Sequence, residues 1–183
     1  TVDNVGNATL LAPIEYADIS AYEFTDIKDY TFTGDSIYQP EITSTLPKEQ
    51  YVAVNYQNNV HAGKANFQVE GVFPYTIGSK YHEFTINPAQ LEGDIDMDTD
   101  TVYFFYHAQP ITPAWKFTNQ AYSQLRDRVD YWAEYSNNIY PGTATLTVSG
   151  IGDYTGTFTK QFTIDKAKLP EDLYHVELPD SDI

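Results

Sequence analysis

Four aspartates alternate along one short stretch, Asp94, Asp96, Asp98 and Asp100, and carboxylates are the oxygen ligands that calcium takes. At this spacing they stack on one face of a strand or, in a loop, wrap an ion. An EF-hand is excluded, because Thr99 stands where that loop needs glycine and Phe105 where it needs the closing glutamate. The expectation is a solvated acidic connector, with calcium at these four aspartates as the one candidate cofactor.

A second cluster holds the chain's only arginines. Arg126 and Arg128 lie close in sequence to Trp115, Tyr122 and Trp132. Guanidinium forks beside aromatic faces suit sugar rings and protein contacts, so these five residues form a candidate surface for a glycan or a host protein. The competing expectation is structural: Leu125 and Val129 pack as a lid, and Trp132 belongs to the core.

Catalysis finds no comparable cluster. His61, His82, His107 and His175 are scattered, without a nucleophile-elbow, phosphate-loop or zinc-spacing motif around any of them. Gly150-x-Gly152-x-x-x-Gly156 has the wrong spacing for a dinucleotide loop. No catalytic residue is assigned, and the chain is read as non-catalytic.

The bulk composition narrows the partners further. Twenty-six acidic against ten basic residues give a formal charge of −16, which repels nucleic acid and anionic membrane surfaces. No run approaches the apolar length needed to span a bilayer, and no charged-then-apolar leader opens the chain. With no cysteine, disulfides and thiolate metal sites are out. Sixteen tyrosines favour strands and contact surfaces.

What must position these residues is a repeat. Tyr51-Val-Ala-Val-Asn55-Tyr56-Gln-Asn58-Asn59 followed by Gly63-x-Ala65-x-Phe67-x-Val69-x-Gly71 returns as Tyr131-Trp-Ala-Glu-Tyr135-Ser-Asn137-Asn138 followed by Gly142-x-Ala144-x-Leu146-x-Val148-x-Gly150. Gly63 to Gly142 and Gly71 to Gly150 span the same 79 residues. At that constant spacing Val52 lies over Tyr131 and Ala53 over Trp132, with Tyr51 a near match one place out. After one extra residue in the first copy, Phe84-Thr-Ile86-x-x-Ala89-x-Leu91 matches Phe162-Thr-Ile164-x-x-Ala167-x-Leu169. Self-similarity at a fixed period means tandem modules.

Ala65, Phe67 and Val69 alternate with polar residues, as do Ala144, Leu146 and Val148, so each copy reads as strand, turn, strand with one face buried. The Asn58-Asn59 and Asn137-Asn138 pairs supply the turns. Further strands are expected at Ala21–Ile27, Ile37–Thr43, Tyr81–Ile86, Thr101–Phe105 and Phe158–Ile164. The front halves correspond more loosely, with Phe32-Thr-Gly34-Asp-Ser-Ile37 over Tyr106-His-Ala108-Gln-Pro-Ile111, before Pro40 and Pro113 realign. The second copy is longer between Pro113 and Asp130, and a short helix starting near Asn119 would align Tyr122, Leu125 and Val129.

The string Tyr135-Ser-Asn-Asn138, Gly142-Thr-Ala-Thr-Leu-Thr-Val-Ser-Gly150, Tyr154-Thr-Gly156 and Phe162-Thr-Ile164 resembles the tandem Ig-like repeats of large secreted and cell-wall-anchored proteins of Gram-positive, often gut, bacteria. Tyr106-x-x-x-Pro110-Ile-Thr-Pro113 resembles the opening of those repeats. The second copy fits along Thr101–Leu169; the first is more degenerate, with a displaced Gly78 standing for Gly156, Ser36 for Pro110 and Phe73-Pro74-Tyr75 for the Gly-x-Tyr turn. The resemblance implies stalks, spacers or adhesive arms that accompany other domains, and it carries no catalytic residues.

The resulting expectation is an all-β chain of two small Ig-like β-sandwich modules, with β-grasp-like modules as the alternative topology. Residues 1–20 are a leading strand or linker, 21–92 the first module, 93–170 the second and 171–183 an acidic tail. The expected role is a spacer presenting other domains of a bacterial surface protein. A glycan- or host-protein-binding adhesin is the alternative.

Overall fold

A computed structural model describes residues 14–98 and 108–167. Asp100, His107, His175, the expected strand at Thr101–Phe105 and the acidic tail lie outside the described residues. The chain is nearly all β, with three single-turn 3-10 helices and no α-helix among the described residues. It divides into two compact units, Thr1–Ala89 and Gln90–Ile183.

The first unit holds β1 (Ala17–Asp18), β2 (Tyr30–Thr31), β3 (Tyr51–Gln57), β4 (Gly63–Gly71), β5 (Thr76–Ile77) and β6 (Ser79–Asn87). Its main sheet runs β2-β6-β4-β3, antiparallel except for β2 against β6. The alternation of β4 explains the sheet's two faces: Ala65, Phe67 and Val69 are fully buried, while Asn66 and Gln68 between them point outward. Phe24, Ile37, Ile42, Leu46 and Ile19 cover the inner face from irregular segments. Part of the leading segment therefore belongs to this unit, since β1 pairs in parallel with β5 and Ile19 is wholly buried.

β7 (Ala89–Gln90) falls at the division. The second unit then contains β8 (Ile95–Met97), β9 (Trp115–Phe117), β10 (Tyr131–Ser136), β11 (Gly142–Gly150), β12 (Tyr154–Thr155) and β13 (Thr157–Ile164). The sheet β10-β11-β13 repeats the order β3-β4-β6. Ala144, Leu146 and Val148 on β11 face a core with Ile95, Met97, Ile111, Phe162 and Ile164. Each Val, Leu, Ile, Met or Phe side chain among them, taken out of water, contributes about 1.5–3 kcal/mol.

Strand register corrects the constant spacing of the repeat. In the second unit Tyr131 pairs with Gly150, Ala133 with Val148 and Tyr135 with Leu146, without a break. In the first, Tyr51 pairs with Gly71 and Ala53 with Val69, and the register then shifts between Val54 and Gln57. Tyr51 thus corresponds to Tyr131, Val52 to Trp132 and Ala53 to Ala133, not Val52 to Tyr131 or Ala53 to Trp132. The surplus residue is a β-bulge at Asn55, whose φ is 53°. Asparagine adopts this left-handed conformation more readily than most residues. The bulge returns Tyr56 to the inner face, where its ring stacks on Phe67 at 5.2 Å.

Two ties fix the front segment onto each sheet in the same way. Ile37 N–H donates to the Asn59 carbonyl at 2.7 Å and its carbonyl accepts from Asn59 Nδ2 at 2.9 Å. Ile111 and Asn138 repeat this at 2.8 and 3.0 Å. Tyr56 Oη accepts from Gln39 N–H at 2.9 Å, and Tyr135 Oη donates to the Pro113 carbonyl. Gly34 and Ala108 both have positive φ. Hence Pro113 corresponds to Gln39 and Pro40 to Ala114, which corrects the expected realignment of Pro40 with Pro113.

Two expected strands do not form ladders. Ala21–Ile27 and Ile37–Thr43 meet only in an isolated bridge between Thr25 and Thr43. Ile37, Gln39 and Ile42 are buried, so the burial pattern is real; Pro40 lacks the N–H that a ladder needs. The sheet turns also match. Gly71 N–H donates to Gly78 and Gly150 N–H to Gly156, at 3.0 and 2.8 Å. A Cβ on Gly71 or Gly150 would come within 2.8 Å of the backbone of Ile77 or Thr155.

Candidate functional site

The longer second copy spends its extra residues on an open depression of about 440 Å³. Trp115 and Phe117 from β9, Tyr131 and Tyr135 from β10, and Tyr122 and Leu125 from the connecting loop line it. The rings hold one another at right angles: Trp115 meets Tyr131 at 5.5 Å and Phe117 at 5.3 Å, and Phe117 meets Tyr122 at 5.6 Å. Alternation along β10 turns Tyr131 and Tyr135 inward while Trp132 and Glu134 point out. Lys116, Ser123 and Asp127 supply polar groups at the rim.

The loop is set by its own hydrogen bonds. Asn119 caps a 3-10 turn over Gln120–Tyr122 through its side-chain oxygen, which accepts Ala121 N–H at 3.0 Å. The expected helix is thus one turn long; Leu125 is half-buried and Val129 exposed. Tyr122 Oη accepts Glu92 N–H at 2.8 Å. Asp130 Oδ2 accepts Arg126 N–H at 2.9 Å and Nε–H at 3.2 Å. Burial alone would raise the Asp130 carboxyl, but these Arg126 bonds and charge hold it below its ordinary value. Tyr131 is raised, first by burial and then by Asp127 and Asp130; burial raises Tyr135 as well.

The five residues singled out from the sequence fall into separate places. Trp115 and Tyr122 line the depression. Trp132 stands on the opposite face of β10, 43% exposed, with the Arg128 guanidinium 5.0 Å from its ring centre. Arg126 is bound to Asp130 at the strand entry.

Asp94, Asp96 and Asp98 do share the exposed side of an extended segment, opposite buried Ile95 and Met97. Two of them are ion-paired, Asp94 with Lys160 and Asp96 with Lys116, each at 3.4 Å. Hydrogen bonds from Ile95 N–H and Lys160 lower the Asp94 carboxyl. Among the described residues no three His, Cys, Asp or Glu side chains converge on one point.

His82 has the most distinctive setting of the described histidines. It packs on Phe67 at 5.6 Å and edge-on to Phe24 at 5.7 Å, and its buried Nε2 has no partner among the described residues. Burial, followed by the Lys80 charge, lowers its pKa against an opposing pull from Glu23.

One surface escaped the sequence reading. On the outer face of the first sheet, Asn55, Gln57, Asn66, Gln68 and Tyr81 border a depression of about 390 Å³. The available signal was the polar half of the β4 alternation together with the surplus residue at Asn55, which sequence alone could not place in register.

No protein-family model, curated protein or solved structure matches this chain.

Proposed function

We propose that the two units are Ig-like β-sandwich modules that act as a non-catalytic spacer, presenting neighbouring domains of a secreted or cell-wall-anchored bacterial protein. The observation that carries this reading is the exact-for-role duplication of the scaffold. The asparagine tie to isoleucine, the tyrosine tie to the front segment and the glycine-to-glycine turn all recur, while the exposed faces diverge. A chain repeated for its scaffold transmits position from one end to the other. Covering the inner face of each sheet without an α-helix among the described residues favours a sandwich over a β-grasp arrangement. Small-angle scattering and single-molecule pulling test the role: a spacer gives an elongated particle and two separate unfolding events, whereas a collapsed particle with one event argues against it.

A second reading, an adhesin for a glycan or host protein, is favoured by the aromatic depression around Trp115 and Tyr122. A glycan and mucin array run with wild type and Trp115→Ala tests it; binding that survives the substitution removes this site from consideration. The lysine pairs of Asp94 and Asp96 favour an acidic connector over a calcium site. Melting in calcium and in chelator checks that, since a bound ion raises the midpoint.

A further inference from the structure

We infer that the outer face of the first unit's sheet is a binding site for a neutral oligosaccharide, centred on Asn55, Gln68 and Tyr81. The site goes beyond the spacer reading and is separate from the aromatic depression of the second unit.

The bulge creates it. Inserting one residue into β3 places the Asn55 carboxamide above the sheet, where Nδ2 donates to Gln68 Oε1 and to Glu70 Oε1, both at 2.9 Å. Both hydrogens of that amide are thereby committed, which orients its oxygen as a free acceptor. The neighbouring Gln57 and Asn66 sit opposite each other across β3 and β4, and their carboxamides have no hydrogen-bond partner among the described residues. Tyr81 lies directly across from Gln68 in the β4–β6 pairing, the residue being 54% exposed. Bulges are concentrated where a strand re-aims side chains, often beside functional sites.

Four carboxamides and an exposed aromatic face match the chemistry of a pyranose. The Gln57 and Asn66 amides can donate to and accept from vicinal hydroxyls at the same time, the Gln68 NH2 can donate, the Asn55 oxygen can accept, and the Tyr81 ring offers an apolar face to sugar C–H groups. The depression of about 390 Å³ falls within the range of small-ligand sites. Charge selects among sugars: Glu70 and Glu83 flank the site, no lysine or arginine among the described residues lines it, and the whole chain carries −16. Sialylated and sulfated glycans are therefore disfavoured. The corresponding face of the second unit has no such group, because Ser136, Thr145, Thr147 and Thr159 stand at the matching register positions and the bulge is missing.

Amide-resolved NMR of the full chain tests this, with cellotetraose, maltotetraose, xylotetraose and sialyllactose each titrated to about 10 mM. The expected result is saturable movement of the side-chain amide signals of Asn55, Gln57, Asn66 and Gln68 with at least one neutral tetrasaccharide, and none with sialyllactose. Tyr81→Ala and Gln68→Ala should each weaken binding about tenfold, the scale of one lost stacked ring or hydrogen-bond set. Trp115→Ala should leave it unchanged. Silence with all three neutral sugars, an equal response to sialyllactose, or undiminished affinity in Tyr81→Ala overturns the inference. Loss of binding in Trp115→Ala alone would also overturn it, by assigning the sugar to the second unit. Particle shape and pulling are unaffected by any of these outcomes, so the spacer reading stands or falls on its own.

Discussion

The two units share their ties and differ in what they leave open. Around Tyr51 the first unit leaves only a smaller depression of about 270 Å³, where Lys48 lies over the Tyr51 ring at 4.8 Å and Tyr51 Oη donates to the Ile42 carbonyl. Around Tyr131 the second unit instead splays Trp115, Phe117 and Tyr122 into an open aromatic depression. Outside, the positions reverse. The first unit carries bulge, amides and Tyr81, whereas the second carries a threonine-rich face along β11 and β13. One scaffold thus supports two surfaces because register and ties depend on few positions, leaving outward side chains free to vary.

The comparison breaks most sharply at the centre of each core. Phe67 and Leu146 occupy the same register position, both wholly buried. Phe67→Ala should cost about 3–5 kcal/mol and Leu146→Ala about 2–5 kcal/mol. In denaturant melts read by a probe in each unit, either substitution should move its own unit's transition far more than the other's. A common shift in both would mean the units do not unfold separately.

The paired asparagines give the next effect. Asn59→Ala and Asn138→Ala each leave a part-buried isoleucine carbonyl without its side-chain donor, so each should destabilise its own unit by about 1–3 kcal/mol. Equal losses sharpen the equivalence, while a loss in only one unit breaks it. Gly150→Ala should cost a similar amount, about 1–3 kcal/mol, because the new Cβ meets backbone at Thr155. Gly71→Ala should match it, and both are read from urea midpoints.

Acid should separate the units. His82 faces Lys80 and Glu23, and its folded pKa is lowered from the ordinary 6.5. The unfolded chain then binds more protons below that value, so the first unit loses stability as pH falls through about 6.5 and the loss levels off below the folded pKa. Lys160 stands at the corresponding place in the second unit, which therefore has no counterpart of His82 at this position. Melting each unit between pH 7.5 and about 5, with His82→Leu as control, measures the difference. A step that persists in the control places its origin elsewhere.

Much of each central hairpin was legible because its signals are local. Ala65, Phe67 and Val69, and Ala144, Leu146 and Val148, alternate within single strands, and Asn58 and Asn137 occupy the turns with φ of 55°. Asn119 was legible as a cap for the same reason, although the turn it starts is short. The front segments were not. Ile37 and Gln39 alternate in burial like a strand, yet side-chain and backbone ties to Asn59 and Tyr56 hold them where a ladder was expected. The grouping of Trp115 with Trp132 also failed to come together, since the pleat of β10 sends Tyr131 and Trp132 to opposite faces.

Alternation, repetition and charge are properties of residues read in order, so a β, duplicated and strongly acidic chain follows from the amino-acid order alone. That the surplus residue of the first copy is Asn55 follows from the strand pairing and not from the amino-acid order. Either neighbour would satisfy a linear alignment, but only one register places Tyr51 against Gly71 and still returns Tyr56 to Phe67. Cross-strand pairing is a choice between distant segments, and a one-residue shift sends every following side chain to the other face.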